Sequence, residues 1–389
     1  MRLRSGVCSL AAVLCFTAAC SPSAGPTARP LVTGESLNSV PEAEQVDTRW
    51  FPGGGRILFR PQANPYVEAR GVGVVGSDGE VREFSGKRSF LYWDPMDPDG
   101  ILVAPIDRPR IEAYRFAGDA LDEIESWRVE DTVHAAFSAD GRWIGFHPIS
   151  RNGRPRFGVF RAVDRVTGRA TDLHREGFIL GGWWPGGRIM AGQRASEERS
   201  LWKPAADRVS PLFDERVVED FFPPEVDEVF VDPLISWSPD GRLFAVRVNY
   251  PLTRSESGNG ILVGRASGRV VAFVGTGERG VQTPTWSPAG DEVAYIVRGA
   301  GKEGHKRAHL EVFHAETRLR TVVADRISDV WWASWSPDGR WLLVDDWTRD
   351  RWLFLARDGS EGIPYPRLGD NPIWCCPSSP PIGFNEGVC

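Results

Sequence analysis

The chain has 389 residues and a formal net charge of −6, or −8 once Arg2 and Arg4 of the leader are set aside. That acidic balance argues against general nucleic-acid binding. Forty-two glycines, 30 prolines and 16 tryptophans fit a turn-dense all-β fold, and the near absence of lysine among the 46 basic residues carries no functional message.

Two arginines and a short apolar run over residues 7–19 predict an export signal across residues 1–19. Thr17-Ala18-Ala19-Cys20 reads as a lipoprotein processing site, with Cys20 as the lipidated first residue of the mature chain; the other reading is an ordinary secretory cut near Ala19. Acyl chains on Cys20 would give stable anchoring, since each buried CH₂ contributes about 0.8 kcal/mol. Residues 20–45 are rich in Ser, Pro, Gly, Thr and Ala and read as a flexible tether. The expected localisation is an exported, membrane-anchored one: the periplasmic face of the outer membrane in a Gram-negative host, otherwise the outer face of the cell membrane.

Residues 46–374 are organised by one recurring phrase: an aromatic residue, a turn rich in Ser, Pro, Asp and Gly, then Arg and an apolar strand. It is complete at Trp237-Ser238-Pro239-Asp240-Gly241-Arg242 and at Trp335-Ser336-Pro337-Asp338-Gly339-Arg340. Weaker copies begin at Trp50, Trp93, Phe137, Trp183 and Trp286, making seven at spacings of 43 to 54 residues. The Asp-Gly pair is a strong hairpin signal, and a second hairpin follows in most copies. Each unit therefore reads as four antiparallel strands, A to D, and the whole as a seven-bladed β-propeller. Ring closure is expected from the segment before Trp50, from Asn371-Pro372-Ile373-Trp374, or from both.

The Trp-Ser-Pro-Asp-Gly-Arg turn resembles the WD40-like (PD40) repeat of the TolB family over roughly residues 46–374. TolB-type proteins resemble a six-bladed propeller preceded by an α/β domain. The seven units and the lack of room for that domain imply that this chain shares the repeat and not the TolB role.

The tail, residues 375–389, carries Cys375, Cys376 and Cys389. An oxidising compartment permits one disulfide there, from Cys375 or Cys376 to Cys389.

Familiar chemistry is largely absent from the sequence. Gly71–Gly76 and Gly275–Gly280 match GxGxxG, but neither opens a helix in a βαβ unit, so a phosphate would meet no helix N-terminus. His305, His309 and His314 read as solvated loop residues. Asp94, Asp97 and Asp99 have the wrong spacing for a calcium loop and read as an acidic turn. No metal site and no cofactor is expected.

One asymmetry remains. The A–B and C–D turns are short and carry Asp78, Asp140, Asp164, Asp240, Asp338 and Asp358. Several B–C loops are longer and basic, including Arg151, Arg154 and Arg156 in one, and Lys302, His305, Lys306 and Arg307 in another. Either this face recruits an anionic partner, or its loops are merely polar in a chain that uses Arg for polarity. The D–A insertion from Asp214 to Asp232 is acidic and holds Phe221 and Phe222. The expectation is a monomeric, non-catalytic binding platform for an envelope protein or an anionic glycan. An envelope carbohydrate-active enzyme with its site in the central channel, and a small-molecule sensor, are the competing readings.

Overall fold

The repeated phrase is a closed hydrogen-bonded turn with a buried serine at its centre. In the computed structural model, Ser238 N–H donates to Leu243 O (2.9 Å), and Leu243 N–H donates back to Ser238 Oγ (2.9 Å). Ser238 Oγ–H donates in turn to Asp240 Oδ1 (2.7 Å), which also accepts from Arg242 N–H (3.0 Å). The same bonds recur at Ser138 and Ser336. Ser287 keeps the exchange with the next strand and uses Asp291 in place of the missing aspartate. Glycine is required at the corner: Gly141, Gly241, Gly290 and Gly339 have φ between +68° and +76°. The four serines are almost wholly buried and have their polar groups paired.

The structure describes residues 32–33, 52–61, 71–84, 89–97, 99–105, 110–118, 120–128, 136–138, 140–146, 159–174, 178–184, 188–193, 198–206, 208–214, 229–251, 257–277, 280–282, 284–299, 308–327, 330 and 333–375. After β1 (Val32–Thr33), sheet 1 takes β2 (Arg56–Pro61), β3 (Val72–Gly76) and β4 (Val81–Phe84). Sheet 2 holds β5 (Ser89–Trp93), β6 (Gly100–Pro105), β7 (Arg110–Ala117) and β8 (Ala120–Arg128). Sheet 3 holds β9 (Ala136–Phe137), β10 (Trp143–Phe146), β11 (Val159–Asp164) and β12 (Ala170–His174). Sheet 4 holds β13 (Phe178–Trp184), β14 (Arg188–Gln193), β15 (Glu198–Lys203) and β16 (Arg208–Asp214). Sheet 5 holds β17 (Phe230–Trp237), β18 (Leu243–Pro251), β19 (Ser257–Arg265) and β20 (Val270–Gly277). Sheet 6 holds β21 (Thr285–Trp286), β22 (Glu292–Val297), β23 (Ala308–His314) and β24 (Arg320–Ile327). Sheet 7 holds β25 (Ala333–Trp335), β26 (Trp341–Asp346), β27 (Arg351–Ala356) and β28 (Gly362–Pro366). Finally β29 (Gly369–Trp374) returns to pair with β2.

Six of these sheets are thus four-stranded and antiparallel, and sheet 6 gains β1 as a fifth strand, parallel to β24 at its outer edge. First strands of successive sheets meet one another, from β9 and β13 through to β25 and β29, and so line the centre. Apolar clusters lie between sheets 1 and 2, 2 and 3, 3 and 4, 5 and 6, 6 and 7, and 7 and 1. This is an all-β propeller of small antiparallel sheets, each burying its faces against its neighbours.

The last strand closes the ring. Ile57 pairs with Trp374 and Leu58 with Ile373, so β29 is strand A of sheet 1, and Trp374 takes the place of the repeat aromatic. The Trp50 copy therefore supplies only the second half of a turn, around Gly53–Gly55 at positive φ. Cys375 N–H donates to Arg56 O (2.6 Å), as the serine does in the complete turns. Cys375 is disulfide-bonded; Cys376 and Cys389 lie outside the described residues.

The repeat tryptophans also bridge sheets through their indole N–H. Trp93 Nε1 donates to Ile373 O (3.0 Å), Trp286 Nε1 to Ser236 O (2.9 Å) and Trp335 Nε1 to Thr285 O (3.1 Å). Each acceptor precedes the aromatic of the previous sheet. Trp374 Nε1 donates to Gly54 O (2.7 Å), across the seam between the chain ends.

Trp374→Ala is expected to cost about 3–5 kcal/mol, because it empties a fully buried site and removes the seam bond. Val81→Ala, at an exposed position, should stay within about 0.5 kcal/mol. Urea denaturation followed by tryptophan fluorescence compares the two; equal midpoints would show that β29 does not hold the ring.

Candidate functional site

Backbone bonds divide the rims. On one face, the residue after strand C donates its N–H to a carbonyl of the A–B turn: Arg165 to Arg142 O, Ala266 to Arg242 O, Ala315 to Asp291 O and Arg357 to Arg340 O. On the other face, Arg298 N–H, at the start of the sheet 6 B–C loop, donates to Gly280 O of the preceding D–A connection (2.7 Å).

The acids of the A–B/C–D face are consumed by the turns. Asp78, Asp140, Asp240, Asp338 and Asp358 accept backbone N–H groups two residues on. Asp164 accepts from Val166 N–H and, side-on, from Nε and Nη2 of Arg142. Asp94, Asp97 and Asp99 are not a vacant cation loop: Asp94 is held by Arg165 from sheet 3, Asp97 by Arg115 and Asp99 by Arg56. The Arg165 guanidinium also lies over Trp127, 4.8 Å from the ring centre. This face ties sheets together.

The basic loop residues singled out by sequence lie outside the described residues: Arg151, Arg154 and Arg156 between Phe146 and Val159, and Lys302, His305, Lys306 and Arg307 between Gly299 and Ala308. Phe221 and Phe222 lie between Asp214 and Val229 and are likewise outside them, as is Cys20. The described ends of these segments belong to the B–C/D–A face.

His309 corrects the reading of solvated loop histidines. It sits on β23, buried, with Nε2 2.7 Å from Glu311 Oε1. Glu311 is fully buried and accepts from Arg320 Nε (2.5 Å). Burial alone would raise the Glu311 carboxyl, but hydrogen bonds with His309 and Arg320 and the charge of Arg320 outweigh it and bring the pKa down to about 2. Burial, reinforced by this carboxylate, pushes the Tyr295 phenol up. His314 instead caps the C–D turn, accepting from Glu316 and Thr317 N–H (both 3.2 Å). Among the described residues, no three His, Cys, Asp or Glu side chains close on a point that could hold a metal ion.

What sequence reasoning missed is a set of charges at the inner rim. Arg247 and Asp345 each stand ten residues after their repeat tryptophan. Arg60 occupies the equivalent place in sheet 1, three residues beyond the partner of Trp374. The repeat register, followed past the apolar part of strand B, could have found the first two.

Each of these residues meets polar groups at the start of a strand A. Arg247 Nε donates to Asp232 Oδ2 (2.9 Å). With its amide oxygen turned inward, Asn371 accepts from Arg60 Nε (3.1 Å), at a non-glycine φ of 57°. Between sheets 7 and 1, Arg367 is nearly inaccessible and donates to Asp345 Oδ1 (2.8 Å) and Asp370 Oδ1 (2.5 Å), with Asp350 Oδ1 at 3.5 Å. Burial raises the Asp345 carboxyl above the usual carboxylate range despite Arg367. Beside this group, Asp346 is fully buried and accepts from Arg349 (3.3 Å) and Arg351 (3.0 Å). The 3-10 turn Trp347–Arg349 runs between Asp346 and Asp350.

No protein-family model and no curated protein sequence matches this chain. Its solved structural neighbours are propellers. An oligogalacturonate lyase in complex with manganese is 13% identical with a TM-score of 0.52, over 74% of this chain and 82% of that one. A functionally unknown protein from Desulfotomaculum acetoxidans is 8% identical with a TM-score of 0.51, over 83% and 99%. TolB from Acinetobacter baumannii is 16% identical with a TM-score of 0.44, over 87% and 69%.

Two stability tests follow. Glu311 has a folded pKa below its ordinary 4.5, so its contribution is present above about pH 4.5 and is lost as pH falls toward 2. Thermal melts between pH 6 and pH 2.5 should therefore fall more steeply for the wild type than for Glu311→Gln; parallel curves would sink this account. Arg367→Met, which strands buried carboxylates, should cost about 3–5 kcal/mol by urea denaturation, more than Asp345→Asn.

Proposed function

We propose that the protein is a lipid-anchored, seven-bladed propeller of the bacterial cell envelope that works as a non-catalytic binding platform through its B–C/D–A face. Each of the seven sheets is read as one blade. Cys20 is the anchored residue, residues 20–45 the tether, and the rest a monomeric reader domain with a disulfide-pinned tail. The partner is an envelope protein or an anionic glycan, not a nucleic acid.

One observation carries this reading: the inner-rim carboxylates already serve as partners for half-buried arginines. Asp232, Asp346 and Asp370 each accept from a guanidinium. A carboxylate committed to an ion pair is a poor general acid or nucleophile, and its role is to fix the rim. Arg151, Arg154 and Arg156, with Lys302, Lys306 and Arg307, would steer an anionic surface onto the rim.

Changing Arg154, Lys306 and Arg307 together to Glu should abolish or strongly reduce recovery of envelope partners in crosslinked pull-downs. An unchanged partner profile would remove the basic rim from the proposal. Cys20→Ala should move the protein from the membrane to the soluble fraction; persistence in the membrane would overturn the anchor.

A further inference from the structure

Seven large apolar side chains are exposed among the described residues, and the two aromatic ones, Phe230 and Trp347, both lie on the B–C/D–A face. Met96, Val166 and Leu319 sit at turns of the opposite face, Val81 starts an outer strand and Ile124 lies on β8. Trp347 is 57% exposed, whereas Trp202, Trp286, Trp352 and Trp374 are fully buried. An exposed tryptophan ringed by polar residues is characteristic of a binding hot spot.

The tip that carries Trp347 is held rigid. Asp346, its buried base, is clamped by Arg349, the last residue of the turn, and by Arg351, two residues beyond it. Asp350 closes it at φ 51°, donating its N–H to Trp347 O (3.3 Å), with its carboxylate near Arg367. A side chain presented this way loses little further freedom on binding.

The charge pattern selects the occupant. Arg349, Arg351 and Arg367 point inward and are shared among four carboxylates, those of Asp345, Asp346, Asp350 and Asp370. The outward-facing charge is Asp350, whose side chain is 80% exposed. An indole face beside an exposed carboxylate offers a cation–π contact and a counter-ion together. We propose that the Trp347–Asp350 tip captures an arginine or lysine side chain of a protein partner. This rests on the binding-platform reading and narrows it: a purely anionic glycan would meet the wrong charge here.

The test uses the mature chain with 15N-labelled indoles and an end-blocked Gly-Arg-Gly-Arg-Gly peptide. The Trp347 indole signal is assigned through Trp347→Phe. It is expected to shift saturably with this peptide, and to stay in place with Gly-Glu-Gly-Glu-Gly or chitotetraose. Trp347→Ala should weaken peptide binding about threefold to tenfold, and Asp350→Asn about twofold to fivefold. The idea is overturned by an unmoved indole, by an equal shift with the acidic peptide or the sugar, or by unchanged affinity in both variants. The Arg154, Lys306 and Arg307 charge reversal separates the two readings. It should leave peptide binding intact while abolishing partner recovery, so either can fail without the other.

Discussion

Everything else in this fold depends on one exchange at the seam, where strand A of sheet 1 is donated by the far end of the chain. A propeller has no terminal repeat to cap, so an unclosed ring would leave apolar faces and backbone edges open on both sides. The bonds of β29 to β2 remove that exposure, and the Trp374 indole reaching Gly54 O adds a side-chain tie between segments 320 residues apart in sequence. Trp93, Trp286 and Trp335 add indole ties of another kind, each reaching a carbonyl of strand A in the previous sheet. The ring is therefore stitched as well as packed.

Closure also divides the labour between the two faces. On the A–B/C–D side, short turns must fit under one another, so aspartates are spent on backbone N–H groups and arginines reach across sheets. Arg165 to Asp94 and Arg357 to Glu292 are such reaches, each joining a sheet to the one before it. Nothing on that side can vary much without loosening the stack. The other face carries the longer connections, and its described inner rim is fixed by Asp232 with Arg247 and by Arg367 with its carboxylates. In proteins of this architecture, recognition accumulates in the loops above such a rim.

The propeller was legible in sequence because its turn chemistry is local. Asp-Gly corners and flanking apolar strands encode a hairpin within a few residues, and their repetition encodes the ring. Two points were not legible for the opposite reason. That Trp374, not Trp50, is the aromatic of sheet 1 is a property of a pairing between chain ends, which local pattern leaves open between two candidates. That His309 is buried against Glu311 depends on where β23 begins after a long loop, and a histidine two residues before a glutamate carries no such message by itself. The serine of the repeat was visible but its role was not: its hydroxyl accepts from one N–H and donates to one aspartate, a use that only coordinates reveal.

The inner-rim charges were hidden differently. Arg60 and Arg247 share their register with Asp345, which has the opposite sign, so neither residue type nor charge is constant there. The equivalence lies in the task, which is to bind a polar group at the start of a central strand. Sheet 5 does this with its own Asp232, whereas sheet 7 uses Arg367 from the connection into sheet 1. That difference places the densest ion-pair group beside the seam. Buried arginines shared among several carboxylates contribute modestly to net stability, because desolvation offsets much of the attraction. What such a group does supply is a fixed geometry, and the element it fixes most directly is the turn that holds Trp347 out in solvent. An exposed indole on a rigid base is costly for a protein that only needs to close a ring, and useful for one that must recognise something above it.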